Sequence, residues 1–312
     1  MLEIYQVVED KLIQVQEIAH GTWVNLVCPG EEEINRVASA LNIPQENLRA
    51  ALDEEERPRM EREEEEGQTL ILIDTPYIEK EDKINVYTTL PLGLILTKEC
   101  FVTVCLKEDT ILKHFIGSRV KGFNPHFKNR FVLQLLYRNA AQFLLYLRHI
   151  DRLITRLEEE LQKSMRNREL FQLLKLQKSL IYFSTSLKSN ELVLNKLLKL
   201  DFLQKYPDDT DLLEDVIIEN RQAIEMTNIY SGILSGISET FASIVSNNLN
   251  MVMKFLTSVT ILLALPTMFS SFFGMNVRVP GQDWPFSFGV IAGISLAVVG
   301  LAAFLLARRK MF

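Results

Sequence analysis

The chain has 312 residues, of which 47% are hydrophobic and 24% are charged, and its formal net charge is −6. This length allows one or two domains with a hydrophobic core, and no basic face interleaved with aromatic residues is present, which argues against a nucleic-acid partner. Three cysteines without metal-type spacing indicate a reducing compartment and neither a disulfide nor a zinc motif: Cys28, Cys100 and Cys105.

The N-terminal third alternates strand and helix signals. "MLEIYQVVED" lacks the basic-then-apolar pattern of a signal peptide, so this part is expected to stay in the cytosol. "PGEEEINRVASAL" begins with Pro and acids, as a helix start does. Short strands bounded by Pro, Gly, Asn or charge are predicted at LEIYQVV, KLIQVQ, WVNLVC, TLILID, INVYTT, LGLILT and FVTVCL. A mixed α/β domain is therefore predicted.

An acidic segment carries the whole net charge. Nine acids and three arginines lie between Asp53 and Glu66. A charge run of this kind is typical of a solvated loop, and contact with divalent cations is the alternative interpretation.

From about Lys128 the pattern is wholly helical. Two long amphipathic helices are predicted at about 128–165 and 168–203. Pro207 is expected to break the run, and Asp208–Thr210 offer an N-cap for a third helix from about Asp211. No proline interrupts that helix before Pro266, so it is predicted to continue from the cytosol into the membrane.

Two uncharged segments near the C-terminus predict transmembrane helices. They cover 255–277 and 284–307, and each exceeds the roughly 20 residues that cross a bilayer. Lys254 and Arg308–Lys310 flank the outer ends, which predicts that both termini lie on the cytosolic side of the cell (inner) membrane. The predicted domains are 1–127 (α/β), 128–210 (helical hairpin), 211–250 (stalk), 251–275 (first span), 276–284 (extracellular loop), 285–307 (second span) and 308–312 (basic cytosolic tail).

A stripe of small and polar residues follows the third helix into the first span. Its spacings alternate four and three, which predicts a left-handed supercoil with identical neighbours. Close helix packing explains three or four such residues, whereas twelve in one phase favour a wetted pore surface built by several subunits. The twelve are Gly232, Gly236, Glu239, Ser243, Ser246, Asn250, Met253, Thr257, Thr260, Ala264, Thr267 and Ser271. A shorter stripe in the second span, Gly289, Gly293 and Ala297, is interpreted as packing on the first span.

Three segments resemble the CorA family of magnesium channels. They are Gly-Met-Asn at 274–276, directly after the first span, "ERPRME" at 56–61 and "VSNNLNMVMKFLT" at 245–257. The resemblance covers the entire chain. It implies an α+β membrane protein that forms a funnel-shaped homopentamer, in which the long helix lines the pore and the second span lies outside it.

The resemblance also implies functional residues. Gly274, Met275 and Asn276 would form the selectivity filter, with Gly274 allowing a tight turn. Asn276 amide oxygens would hold the waters of a hydrated Mg²⁺, an ion that sheds its waters reluctantly. The pore would be lined by Glu239, Asn250, Met253, Leu256, Thr257, Thr260, Ala264, Thr267 and Ser271. Met253 and Leu256 would form the hydrophobic constriction; only Leu256 comes from the resemblance alone.

A regulatory site for Mg²⁺ between neighbouring cytosolic domains is also implied. Asp215 matches the family's acidic position, and its partner would come from the acidic segment: Glu63, Glu64, Glu65 or Glu66. The sequence departs from the family in two places. Phe273 replaces an aromatic hydroxyl residue, and the loop lacks the acidic-Met-Pro-Glu-Leu segment. The second departure weakens any anionic outer ring and leaves the ion preference open.

No catalytic motif is present, so the chain is not expected to be an enzyme. The partners implied are lipid, divalent cations and other copies of the chain, and no cofactor is implied beyond Mg²⁺ as the transported and regulatory ion. The histidines His20, His114, His126 and His149 are interpreted as surface or packing residues. The alternatives are a Co²⁺, Ni²⁺ or Zn²⁺ transporter of the same superfamily and a membrane-tethered coiled-coil scaffold that conducts nothing.

Overall fold

A seven-stranded sheet is the centre of the N-terminal unit in the computed structural model of the chain. Its strands are β1 (Leu2–Val8), β2 (Lys11–Val15), β3 (Trp23–Val27), β4 (Arg59–Glu63), β5 (Gln68–Glu81), β6 (Ile84–Leu96) and β7 (Phe101–Cys105). The order is β2-β1-β3-β7-β6-β5-β4. Only β3 and β7 pair in parallel, and every other neighbouring pair is antiparallel.

The structure describes residues 1–9, 11–63, 67–81, 84–117, 120, 123–163, 167–199, 207–276 and 285–309. They form two units, Met1–Ser235 and Gly236–Phe312. Seven helices accompany the strands within these described ranges: α1 (Glu31–Leu41), α2 (Gln45–Ala50), α3 (Thr110–Ile116), α4 (Lys128–Lys163), α5 (Asn167–Leu198), α6 (Pro207–Phe273) and α7 (Ser287–Arg308).

The central strands β3 and β7 are buried on both faces of the sheet, and their successive side chains point to opposite faces. Val24 and Val102 belong to a core that includes residues of α1 and α2. Trp23 and Phe101 belong to a second core, with residues of α3, α4, α5 and the start of α6. In that second core the Phe101 and Phe131 rings have centroids 4.5 Å apart. The continuous apolar runs of β3 and β7 follow from this burial on both faces.

The β5–β6 hairpin is longer than the sequence predicts. The predicted break before Pro91 is wrong, since INVYTT and LGLILT belong to one strand, and β5 continues through Pro76. The Asp74 N–H and C=O point away from β6 and bond the Asn190 side chain at 2.9 Å each. Asp74 and Pro91 are therefore a non-hydrogen-bonded pair. Both prolines lie beyond the ends of β4 and β7, so their missing N–H groups remove no ladder bond.

The helix α6 begins earlier than predicted. Pro207 is its first residue, a position that proline suits because a first-turn residue needs no intrahelical N–H bond, and the preceding helix α5 has ended at Leu198. Asp209 in the first turn is nearly fully buried and lies 3.8 Å from the Arg130 guanidinium of α4. Desolvation raises the pKa of Asp209, and Arg130 opposes that shift. The start of α6 is thus fixed to α4 by a charge pair.

The C-terminal unit contains the second half of α6 and the whole of α7. Both helices are long and apolar enough to cross a membrane, and their apolar segments are almost entirely uncovered. α6 continues through Pro266 without ending. Residues 277–284 of the predicted extracellular loop lie outside the described residues.

Candidate functional site

The predicted pore-lining residues share one property in the single chain, which is that all of them are exposed. They are Glu239, Asn250, Met253, Leu256, Thr257, Thr260, Ala264, Thr267 and Ser271. The residues of α6 that are covered or partly covered in its apolar half form another stripe: Ser258, Val259, Leu262, Leu265, Pro266 and Phe269. The partly covered residues and the predicted pore-lining residues therefore lie on different faces of the helix, and large apolar residues such as Phe255, Leu263 and Met268 are exposed as well.

The partly covered residues of α7 differ from the sequence interpretation. Gly289 and Gly293 are exposed, and a Cβ atom added at either would meet nothing within 4 Å. Ala297 is exposed as well. The stripe that is partly covered is Ser287, Ile291, Ala292, Ser295, Val298, Val299, Ala302, Ala303 and Leu306. The interpretation of Gly289, Gly293 and Ala297 as the face against α6 is therefore wrong for the single chain.

Two threonines of the polar stripe satisfy their hydroxyl donors within the helix. Thr260 Oγ1 donates to the Leu256 carbonyl at 2.8 Å, and Thr267 Oγ1 donates to the Leu263 carbonyl at 2.9 Å. A hydroxyl carries two acceptor lone pairs in addition to its donor. Each oxygen therefore remains available to accept from water, as a wetted surface requires.

The Gly-Met-Asn segment follows α6 without a gap. The Gly274 N–H donates to the Ser270 carbonyl at 2.9 Å, so the helical bonding pattern extends to this residue. A Cβ atom at position 274 would lie 3.2 Å from the Ser270 oxygen, which leaves little room for a side chain. Gly274 is not among the described glycines with positive φ, so in the single chain it adopts no left-handed turn, and its role in a tight turn stays a prediction. Met275 and Asn276 are exposed.

The predicted regulatory residues are only partly described. Asp215 is exposed on α6 between the buried Leu213 and Val216, so the opposite side of the helix enters the core. Glu63 is exposed at the end of β4, and Glu64, Glu65 and Glu66 lie outside the described residues. Within the described ranges, no group of three or more His, Cys, Asp or Glu is placed to hold a metal ion. A site made within one chain is therefore not seen there.

Sequence reasoning missed a polar cluster between the hairpin and the helices α4 and α5. Asn139 Nδ2 donates to the Asp74 carbonyl at 2.9 Å, and Thr89 Oγ1 lies 2.8 Å from Ser186 Oγ. Burial raises the pKa of the Asp74 carboxyl to about 6, against the opposing effect of a Ser186 hydrogen bond. The sequence signal for this cluster is the presence of polar residues at otherwise apolar helix positions. This signal does not identify the residues that they contact.

Comparisons with known proteins cover almost the entire chain. The family described as CorA-like Mg²⁺ transporter protein matches residues 19–309. The cobalt/magnesium transport protein CorA of Methanocaldococcus jannaschii is 28% identical, over 97% of this chain and 95% of that protein.

Solved structures share the fold. The complete CorA magnesium transporter structure from Methanocaldococcus jannaschii has a TM-score of 0.85 at 22% identity and covers 98% of this chain and 96% of its own. The cytoplasmic domain of ZntB from Vibrio parahaemolyticus has a TM-score of 0.62 at 10% identity, over 78% of this chain and 98% of its own. Both show a soluble α/β fold like that of the N-terminal unit, and the first also shares the long helix and the two apolar C-terminal helices.

Proposed function

This chain belongs to the CorA-like Mg²⁺ transporter family, which is a family of transporters and not of enzymes, and from that membership we propose that it is a passive channel for Mg²⁺. Five copies would each contribute α6 to one pore in the cell inner membrane. The α/β domain and both termini would lie in the cytosol, and the residues between the two spans outside. Mg²⁺ is the cargo and the regulatory ion, and no other cofactor is required.

The uncovered polar stripe of α6 carries this proposal. Polar side chains that face hydrocarbon are costly, so residues of this kind in membrane helices face other helices or water. α7 does not cover the stripe, because the covered residues of α6 lie on a different face. The strict alternation of four and three brings the same face of identical helices together. Several copies of α6 around a common axis would keep the polar stripe away from lipid and bring the same face of identical helices together. A single copy of α6 does neither.

Ion selection is assigned to Gly274, Met275 and Asn276, at the end of the stripe. A ring of exposed Asn276 side chains offers amide oxygens to the first-shell waters of Mg²⁺. Mg²⁺ keeps several of these waters in most protein sites. Selection among ions would then depend on the size and the geometry of the hydrated ion.

The barrier to flow is assigned to Met253 and Leu256. Both side chains are apolar and more than half exposed in the single chain. A narrow ring of apolar side chains can block ions by excluding water. The polar stripe on either side of this ring remains wet, so the constriction is a local barrier.

Cobalt is the second candidate ion. The relative from Methanocaldococcus jannaschii is named a cobalt/magnesium transport protein, and Co²⁺ is also a hydrated divalent cation. Ni²⁺ and Zn²⁺ transport and a non-conducting scaffold are the remaining alternatives.

The test is cation flux through the purified full chain in liposomes, with Mg²⁺, Co²⁺, Ni²⁺ and Zn²⁺ compared. Asn276→Ala should abolish Mg²⁺ flux or strongly reduce it, because the water contacts of the ring are lost. Asn247→Ala is the matched control, since Asn247 is an exposed asparagine of α6 that lies outside the stripe. Met253→Asp should leak under conditions where the parent is closed. Absence of any flux in the parent, or full flux in Asn276→Ala, would contradict the proposal.

A further inference from the structure

Two histidines that are far apart in the sequence come together on the surface of the N-terminal unit. His20 lies in the turn between β2 and β3, and His126 lies in the turn that leads into α4. Their ring centroids are 5.5 Å apart at an interplanar angle of 54°. Both residues are exposed. No step of the proposed transport mechanism uses either residue.

The backbone on both sides of this pair is anchored. Gly21, next to His20, donates its N–H to the Glu99 carbonyl at 2.8 Å, and Thr22 Oγ1 donates to the Ala19 carbonyl at 2.7 Å. The His126 N–H donates to Asn124 Oδ1 at 3.0 Å. The two rings are therefore presented by turns whose shape is already fixed, so little ordering is needed to bring them to one ligand.

Gly21 allows the His126 ring to approach the β2–β3 turn closely. Its φ is +78°, and a Cβ atom at this position would lie 2.8 Å from His126 Nδ1. The Nδ1 edge of the His126 ring thus faces the residue that directly follows His20. A larger residue at position 21 would push the ring away from the turn.

We propose that His20 and His126 form a binding site for a divalent transition-metal ion, with water completing the coordination. Two imidazoles that bind one metal at about 2.1 Å in tetrahedral geometry place their ring centroids roughly 5 Å apart. The observed 5.5 Å is close to this separation. Imidazole suits divalent transition metals such as Zn²⁺ and Ni²⁺, whereas Mg²⁺ takes oxygen ligands. The site is therefore expected to prefer transition-metal ions to Mg²⁺, and it does not depend on whether the chain conducts ions.

The bound ion would tie the β2–β3 turn to the segment before α4. Phe127 follows His126, and the Phe131 N–H of α4 donates to its carbonyl at 3.0 Å. Phe131 is part of the core beneath the sheet. Binding at the pair is thus expected to stabilise the N-terminal unit at the junction of sheet and helix.

The test is Co²⁺ titration of the tag-free full chain in detergent, followed by the visible absorption of bound Co²⁺ and by calorimetry. A Cys28→Ser background removes the one exposed thiol among the three cysteines, and excess Mg²⁺ occupies sites with oxygen ligands. Co²⁺ should bind in the micromolar range and be displaced by Zn²⁺. His20→Ala and His126→Ala should each weaken binding by roughly 100-fold, because two tethered ligands act together.

His149→Ala is the matched control, since His149 is a partly exposed histidine on α4 that contacts Tyr146. It should leave Co²⁺ binding unchanged. Co²⁺ should also raise the Tm of the parent and of His149→Ala but not that of the two other variants. Equal binding by the parent, His20→Ala and His126→Ala would overturn the proposal. Loss of binding in all three single variants would overturn it too, since the pair would not be the specific ligand.

Discussion

Asp74 is a largely buried carboxyl group at the point where the β5–β6 hairpin meets α4 and α5. Its pKa is raised from 3.8 to about 6 by burial. The folded protein thus holds this proton more tightly than the unfolded chain does. The stabilising contribution is complete below about pH 4 and is lost as the pH rises through about 6.

Asp74→Asn should therefore stabilise the protein at neutral pH, because the amide stays uncharged. The gain should be on the order of 1–3 kcal/mol above pH ~7 and should vanish near pH 4. Thermal unfolding of parent and variant between pH 4 and pH 8 measures it. Asp53→Asn, at an exposed aspartate of the same unit, should give no such pH-dependent difference. A constant Tm difference at every pH would contradict the assignment to this carboxyl.

Individual functional residues differ in how far the sequence predicts them. Asn276 is singled out by its position after an apolar run, and the phase of the stripe selects Thr257, Thr260 and Thr267. The pairing of His20 with His126 is not predictable in this way, because both lie in turns whose positions depend on the β1–β3 pairing and on the core around Phe131. Local periodicity reports which face a residue occupies, and it does not report which distant residue lies opposite.

The β5–β6 hairpin shows how strand prediction fails at a proline. Pro91 is a strong break signal in sequence, yet the strand continues because the missing N–H points beyond the end of β7. A proline is tolerated in a strand only where its missing N–H would face no partner strand. The pairing of the strands decides this, and the sequence of the strand alone does not show it. The strands β1, β2, β3 and β7 and the helices α4 and α5 lie close to their predicted ranges, since their apolar periodicity is informative. The strand β4 (Arg59–Glu63) is not predicted, because its charged residues belong to the segment interpreted as a solvated loop; it forms because it pairs with β5 and buries Met60.

The neighbouring positions 90 and 91 of β6 allow a direct test, because only one of them is expected to donate a ladder hydrogen bond. Leu90 pairs with Thr75 in the hydrogen-bonded position next to Pro91. Leu90→Pro should destabilise the protein strongly, because a proline there removes a ladder hydrogen bond to β5, and Pro91→Val should change its stability by less than about 1.5 kcal/mol. Thermal unfolding and hydrogen exchange of the hairpin measure both effects.

Leu90→Ala separates the loss of the buried Leu90 side chain from the loss of its N–H. Leu90→Pro should be clearly less stable than Leu90→Ala. Equal stability of these two variants would show that position 90 does not donate a ladder bond.

The acidic balance of the molecule suggests how its cargo could regulate it. The whole net charge of −6 derives from the segment between Asp53 and Glu66, and Asp215 is exposed on α6. In the proposed pentamer, such carboxylates on neighbouring subunits would repel one another unless a cation lies between them. Mg²⁺ can hold the channel closed only if it binds the closed state more tightly than the open one.

Limited proteolysis of the full chain with and without millimolar Mg²⁺ tests this regulation. Mg²⁺ should protect the parent, and Asp215→Lys should show the same cleavage rate in both conditions, because the substituted ammonium repels the ion. Asp211→Lys is the control, since Asp211 is an exposed acid on the same helix and should keep the protection. Equal protection of the parent and Asp215→Lys would mean that Asp215 does not bind the ion.

The single parallel pair of the sheet has a consequence for the order of events during synthesis. β3 is complete at Val27, but its neighbour β7 ends at Cys105. Until Cys105 has left the ribosome, β3 has β1 on one side and an unpaired row of N–H and C=O groups on the other. During synthesis the N-terminal strands therefore expose an unpaired edge, which can pair with other chains until β7 has been made.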